Sequence, residues 1–141
     1  GVDAIVVSNH GGRQLDASVP TLDLLPGVVE AVAGRCSVMV DGGVRRGSDI
    51  VKALALGAEA VLAARPTLYG VFAAGEMGAQ RAVEILAEEL VRTMQLCGVA
   101  RIADITADCL AGGARGGALA GSGLSGSGLA GSTASTGRQA R

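Results

Sequence analysis

Three short runs of branched apolar residues, each followed by a glycine-bearing or cationic turn and then a helical pattern, constrain this chain more than any other feature. They are Ala4-Ile5-Val6-Val7, Ser37-Val38-Met39-Val40 and Ala60-Val61-Leu62-Ala63. Runs without polar alternation belong to strands covered on both faces, as in a parallel sheet. Leu22 to Ala33 reads as a helix, with Pro26 tolerable only near a first turn and Gly34 placed to end it. Ser48 is placed to cap a second helix over Asp49 to Leu56, with Gly57 as its stop. Val83, Leu86, Leu90 and Met94 recur at three- and four-residue spacing, so a third helix runs from Glu76 to Cys97 with Gly98 beyond. Alternating strands and helices with short connections make βαβ units. An open doubly wound sheet and part of a (β/α)8 barrel both satisfy this pattern, although three units cannot close a barrel of eight strands.

At 141 residues, with 49% hydrophobic content and a mean hydropathy of +0.44, the chain has material for one small core. Tyr69 and Phe72 are the only aromatic residues and net charge is −1, so neither stacking surfaces nor a basic field for nucleic acid are expected. Cys36, Cys97 and Cys109 form no metal-type or redox-type spacing and read as free thiols in a reducing compartment. The longest apolar run is too short to cross a bilayer, and no cationic leader with an apolar centre precedes the first strand. A cytoplasmic location is expected. Residue one is Gly and leads directly into a strand, so a longer parent protein is expected as well.

From about Ala111 to Arg141 the composition turns to Gly, Ala and Ser with scattered Arg, and no apolar periodicity survives. Such a stretch buries too little surface to offset its chain entropy, so residues 111–141 are expected to form a disordered tail to a domain spanning 1–110.

The reactive side chains sit after the strands. Ser8-Asn9-His10-Gly11-Gly12-Arg13-Gln14-Leu15-Asp16 follows the first, at the sheet end where α/β enzymes place their chemistry. Arg13 suits a bidentate grip on a small carboxylate while the His10 imidazole takes a proton from the adjacent carbon or its hydroxyl. The plainer alternative is a surface turn with a solvated His and Arg. Asp41-Gly42-Gly43-Val44-Arg45-Arg46-Gly47-Ser48 follows the second strand; paired glycines, a helix N-terminus and arginines make a phosphate cradle. It is neither a Walker loop nor a G-x-G-x-x-G turn. Ala64-Arg65-Pro66 ends the third strand, placing Arg65 on the same rim, with Pro66 suited to open a short helix. Met77, Met94 and Leu96 read as core filler, Glu88-Glu89 as a solvated face, and Tyr69 and Phe72 as packing in the outer helix layer.

Taken together with Lys52-Ala53-Leu54-Ala55-Leu56-Gly57-Ala58, the first two of these loop segments resemble the FMN-dependent 2-hydroxy-acid dehydrogenases and oxidases, a family that includes glycolate oxidase, lactate oxidase and mandelate dehydrogenase. The likeness runs without a gap from Gly1 to about Leu110. It implies a (β/α)8 barrel of which this chain holds the last three units. By position, His10 matches the active-site base and Arg13 the partner of the substrate carboxylate. Ser8 falls on a flavin contact, while Asp41, Gly42, Gly43, Val44 and Arg45 fall in the loop that holds the FMN ribityl and phosphate. Ala64 and Arg65 fall at the last phosphate ligand, where the family has Gly in place of Ala64; flavin affinity is what that methyl bears on.

The resemblance further implies oxidation of an L-2-hydroxy acid to a 2-oxo acid, a homo-oligomeric parent, and an electron acceptor that is oxygen, a quinone or a cytochrome. It leaves peripheral membrane association of the parent open. The family's substrate-binding tyrosines, flavin-side lysine and histidine-orienting aspartate belong to units upstream of this chain. The competing reading is a noncatalytic remnant or weak phosphate-binding module.

Overall fold

The computed structural model describes residues 1–111, and the expected tail lies outside them except for Ala111, which is in a turn. Strands β1 (Ala4–Val7), β2 (Ser37–Asp41) and β3 (Ala60–Leu62) form one parallel sheet in the order β1-β2-β3. Helix α1 (Thr21–Val32) follows β1, α2 (Gly47–Ala55) follows β2, and α3 (Arg65–Leu96) follows β3. Val7 pairs with Val40, and Val40 with Val61, so the three strands are in step and their ends form one rim.

Ile5, Val7, Val38, Val40 and Val61 share the sheet face that packs against α1, whose Leu25 is fully buried. A second cluster forms where α2 meets α3, from Val51, Ala55 and Met94, and Ile105 of the following segment closes it. The opposite sheet face is left uncovered by the described residues: Val6 is 49% and Leu62 44% exposed. Sequence-wise these strands look buried on both sides, and only one side is covered by the described residues. The continuous apolar runs therefore match a sheet that needs another layer.

Helix ends depart from expectation in instructive ways. Pro26 lies inside α1 beyond the first turn. Its ring costs about 3 kcal/mol in a helix interior; burial of Leu25 and the packing of Val28, Val29 and Val32 beside it offset that cost. The chain leaves α1 through Ala33, at φ +49°, one residue before Gly34. Arg35 closes this end by donating to the carbonyls of Ala31 and Val32 at 2.7 and 2.9 Å.

Ser48 does not cap α2. The helix starts two residues after Arg45, and the Asp49 carboxylate accepts from the Arg45 and Arg46 amides at 3.1 Å each. A carboxylate in the first turn also meets the positive end of the helix. Glu89 is not solvated either: it accepts from the Gly47 amide at 2.9 Å and pairs with Arg46 at 3.1 Å, tying α3 to the start of α2. The Gly47 amide, and secondarily Arg46, holds the Glu89 carboxyl below the ordinary glutamate range.

Within α3 the backbone breaks at Ala74 and Gly75 (φ +58°), so the expected start near Glu76 and the expected opening at Pro66 are both present as two helical halves. The halves cross at Gly70 and Gly78, where a Cβ on either would overlap the other's backbone carbonyl. Met94 is core, but Met77 is 79% and Leu96 84% exposed. Tyr69 and Phe72 are also exposed, with no described element packed over them. Apolar spacing marks a face that wants burial; it does not supply the partner.

Candidate active site

The rim at the carboxyl ends of the strands carries three loops: residues 8–13, 42–46 and 63–64. The first folds back on itself. The His10 amide donates to Ser8 Oγ at 3.0 Å and the Gly11 amide to Asn9 Oδ1 at 3.0 Å. The Gly12 and Arg13 amides then donate to the Asn9 and His10 carbonyls at 3.0 and 3.3 Å. His10, Gly11 and Gly12 lie at φ +52°, +66° and +74°. Glycine adopts such values freely, whereas an L-histidine there is strained by about 1 kcal/mol. His10 borders the cleft beside the rim.

The second loop is joined to the first by Ser8 Oγ, which donates to Asp41 Oδ2 at 3.0 Å. Gly42 and Gly43 take φ +96° and +79°. Space in front of Gly43 is open. The Gly43 and Val44 amides donate to no protein acceptor among the described residues. Free successive amides in a left-handed turn form an anion-binding concavity. Arg45 stands beside them, exposed. Arg65, the first residue of α3 after the third loop, reaches across to the Gly11 carbonyl, with Nη2 at 3.5 Å.

These loops enclose one cleft of about 960 Å³. It is lined by His10, Arg13, Asp41, Gly42, Gly43, Val44, Arg45, Ala64 and Arg65, which is every site residue expected from the sequence except Ser8. Ser8 acts one step behind, on Asp41 and on the His10 amide. Three arginines face a single carboxylate, itself occupied by Ser8, so the cleft favours anions. Arg13 and the Arg45 side chain have no acceptor among the described residues, leaving both free for a ligand. Ala64 sits at φ −92°, a conformation open to any L-residue, and it borders the cleft.

Sequence reasoning missed Tyr69, which lines the same cleft at the start of α3 rather than packing in an outer layer. It also missed Asn9 and Thr21, the polar residues that join the loops. The buried Thr21 donates from Oγ1 to the Gly42 carbonyl at 3.3 Å. The turn propensity of Asn and Thr was visible; their partners, tens of positions away in one case, were not.

A parallel α/β layer with cations and free amides gathered on its carboxyl rim defines an enzyme class that binds anionic cofactors and substrates there. The sequence profile of the FMN-dependent dehydrogenases matches residues 1–112, and the chain belongs to that family, whose cofactor is FMN. It is 56% identical over 106 residues to a peroxisomal (S)-2-hydroxyacid oxidase of Arabidopsis thaliana, covering 75% of this chain and 29% of that protein. To an L-lactate oxidase of Nostoc it is 50% identical over 110 residues, covering 78% of the chain and 30% of the relative. Among solved structures, a mandelate oxidase superposes with a TM-score of 0.70 at 50% identity, covering 73% of this chain and 31% of that one. An (S)-mandelate dehydrogenase chimera gives 0.73 at 45% identity, covering 77% and 30%. The chain thus spans about 30% of the length of the curated relatives it matches.

The residues present fit FMN. Its phosphate requires amide donors and cations around an open concavity, and Gly43, Val44, Arg45 and Arg65 supply them. No helix among the described residues is long and apolar enough to cross a membrane. Cys36, Cys97 and Cys109 are free thiols.

Proposed function

We propose that this chain supplies the base, the carboxylate anchor and the phosphate site of an enzyme that oxidises an L-2-hydroxy acid, of the lactate or glycolate kind, to the 2-oxo acid. Its three βα units are the last three of a (β/α)8 barrel. The observation that carries this reading is the convergence of His10, Arg13 and two separate cationic loops on one cleft.

Arg13 binds the substrate carboxylate through its fork of donors, which fixes the 2-carbon near His10. His10 receives the proton released as the alcohol becomes a carbonyl. The amides of His10, Gly11, Gly12 and Arg13 are all used within the loop, so the backbone around the imidazole does not compete with it for substrate. The amides of Gly43 and Val44 with Arg45 and Arg65 would hold the FMN phosphate, with the Ala64 methyl beside it; Asp41 and Gly42 would hold the ribityl side, and Ser8 would act on the flavin through its bond to Asp41. FMN, when bound, would take up the two electrons of the oxidation and the second proton. Oxygen, a quinone or a cytochrome then serves as final acceptor, in a homo-oligomeric protein placed in the cytoplasm.

The test is anaerobic mixing of the full-length flavoprotein that carries this chain with a panel of L-2-hydroxy acids. Bleaching of the flavin with one equivalent of 2-oxo acid formed is expected. Failure of every 2-hydroxy acid to reduce the bound flavin sinks the reading.

A second reading, favoured by the uncovered Val6 and Leu62 face, is that the 141-residue chain by itself is inactive and at most a weak phosphate binder. Expressed alone, it is expected to be poorly soluble and to bind little flavin. A yellow, active monomer of this length overturns that second reading.

A further inference from the structure

We infer that Asn9 is a positioning residue for His10, acting by a two-ended grip that holds the histidine in its left-handed backbone conformation against the phosphate loop. The inference rests on the proposed role of His10 as base. At one end, Asn9 Oδ1 accepts from the Gly11 amide at 3.0 Å; at the other, Nδ2 donates to the Val19 carbonyl at 3.3 Å. Between those ends the same oxygen lies against Gly42, where a Cβ would come within 2.8 Å of it. One side chain therefore touches the His10 loop, the approach to α1 and the phosphate loop.

His10 needs such a grip because φ +52° is unfavourable for a residue with a Cβ. Such a conformation persists only where neighbours over-determine it. Ser8 Oγ fixes the His10 amide and Asn9 Oδ1 fixes the next one, so both peptide planes flanking His10 are held by side chains. Ser8 is also engaged by Asp41. Asn9 alone ties the loop to Val19, and it does so from a partly buried position with no contact to the cleft interior. Thr21, two residues beyond Val19, holds the Gly42 carbonyl, so the anchor for Asn9 is itself fastened to the phosphate loop.

The experiment uses the full-length flavoprotein with Asn9→Ala, Asn9→Ser and His10→Gln. Serine at this position keeps an acceptor for the Gly11 amide, in the way Ser8 serves His10, and loses the tie to Val19. Expected is a kcat about 100-fold lower for Asn9→Ala and an intermediate loss for Asn9→Ser, from misplacement of the imidazole by about 1 Å. KM and bound flavin per protein should change far less than kcat, because the Arg13 guanidinium and the donors of the phosphate loop are themselves unaltered. Hydrogen exchange in residues 8–13 should quicken in the same order, a readout independent of turnover. Parent-like kcat in Asn9→Ser, or in Asn9→Ala, overturns the inference, as does a loss in KM and flavin content with kcat unchanged. If Asn9→Ala does not fold, Asn9→Ser decides. Parent-like kcat in His10→Gln instead overturns the proposed role of His10, which separates the two failures.

Discussion

Two glycine-to-alanine substitutions in neighbouring helices should act in opposite directions. Gly27 is exposed in α1, and a Cβ there meets nothing within 4 Å. Alanine in a helix interior is favoured over glycine by about 0.5–1 kcal/mol, so Gly27→Ala should stabilise by that amount. Gly47 is buried at the first turn of α2, and its Cβ would fall 2.6 Å from Glu89 Cβ and closer still to the backbone of Glu89 and Leu90. Ordinary carbon contacts need about 3.5–4.0 Å. The obstacle is α3 backbone, so no rotamer change relieves it and the helices must separate by about 1 Å. Overpacking of this kind costs about 1–3 kcal/mol. Native-state hydrogen exchange on the full-length protein reads both effects locally: α2 amides should exchange about 5- to 150-fold faster in Gly47→Ala, and α1 amides about 2- to 5-fold slower in Gly27→Ala. Unchanged exchange across α2 in Gly47→Ala would refute the backbone-to-backbone contact between α2 and α3.

Ala33→Gly should stabilise by about 0.5–1 kcal/mol, because φ +49° strains alanine and suits glycine; a lower unfolding midpoint would show that the Ala33 methyl makes a contact worth more than the strain. Glu89 has a lowered pKa in the folded state, so its tie to Gly47 stabilises above the ordinary glutamate value of 4.5 and is lost as pH falls through the depressed folded value. The midpoint gap between the parent and Glu89→Gln should therefore be steady near neutral pH and close in acid, and a gap that widens on acidification contradicts the tie. Arg65→Met should lower flavin content and raise the Kd for FMN by about 10-fold or more, since it removes a cation without shortening the side chain; undiminished flavin retention, by absorbance of the purified protein, would exclude Arg65 from the phosphate site.

The sheet was legible because Ile5, Val7, Val38, Val40 and Val61 are branched residues in uninterrupted runs, and their faces are the ones α1 covers. The rim was legible because strand ends in a parallel sheet gather on one side, which brought His10, Asp41 and Arg65 onto one cleft from three separate segments. Glu89 was misread because a charged helical residue is ordinarily solvated, and nothing near it in sequence announces the Gly47 amide as its partner. Met77 and Leu96 were misread because they are apolar, yet they fall off the Leu86, Leu90 and Met94 stripe and have no covering element among the described residues. The cap of α2 moved from Ser48 to Arg46 because Asp49 reaches back to two amides at once, and serine three-residue logic does not see a carboxylate beyond it.

The claim that most needs testing is that His10 accepts the substrate proton. Rapid anaerobic mixing of the full-length His10→Gln flavoprotein with its best L-2-hydroxy acid measures flavin reduction apart from every later step. Loss of the base predicts a reduction rate lower by about 100- to 10,000-fold, with flavin still bound and the substrate's affinity, set by Arg13, changed little. Reduction at the parent rate would contradict the account.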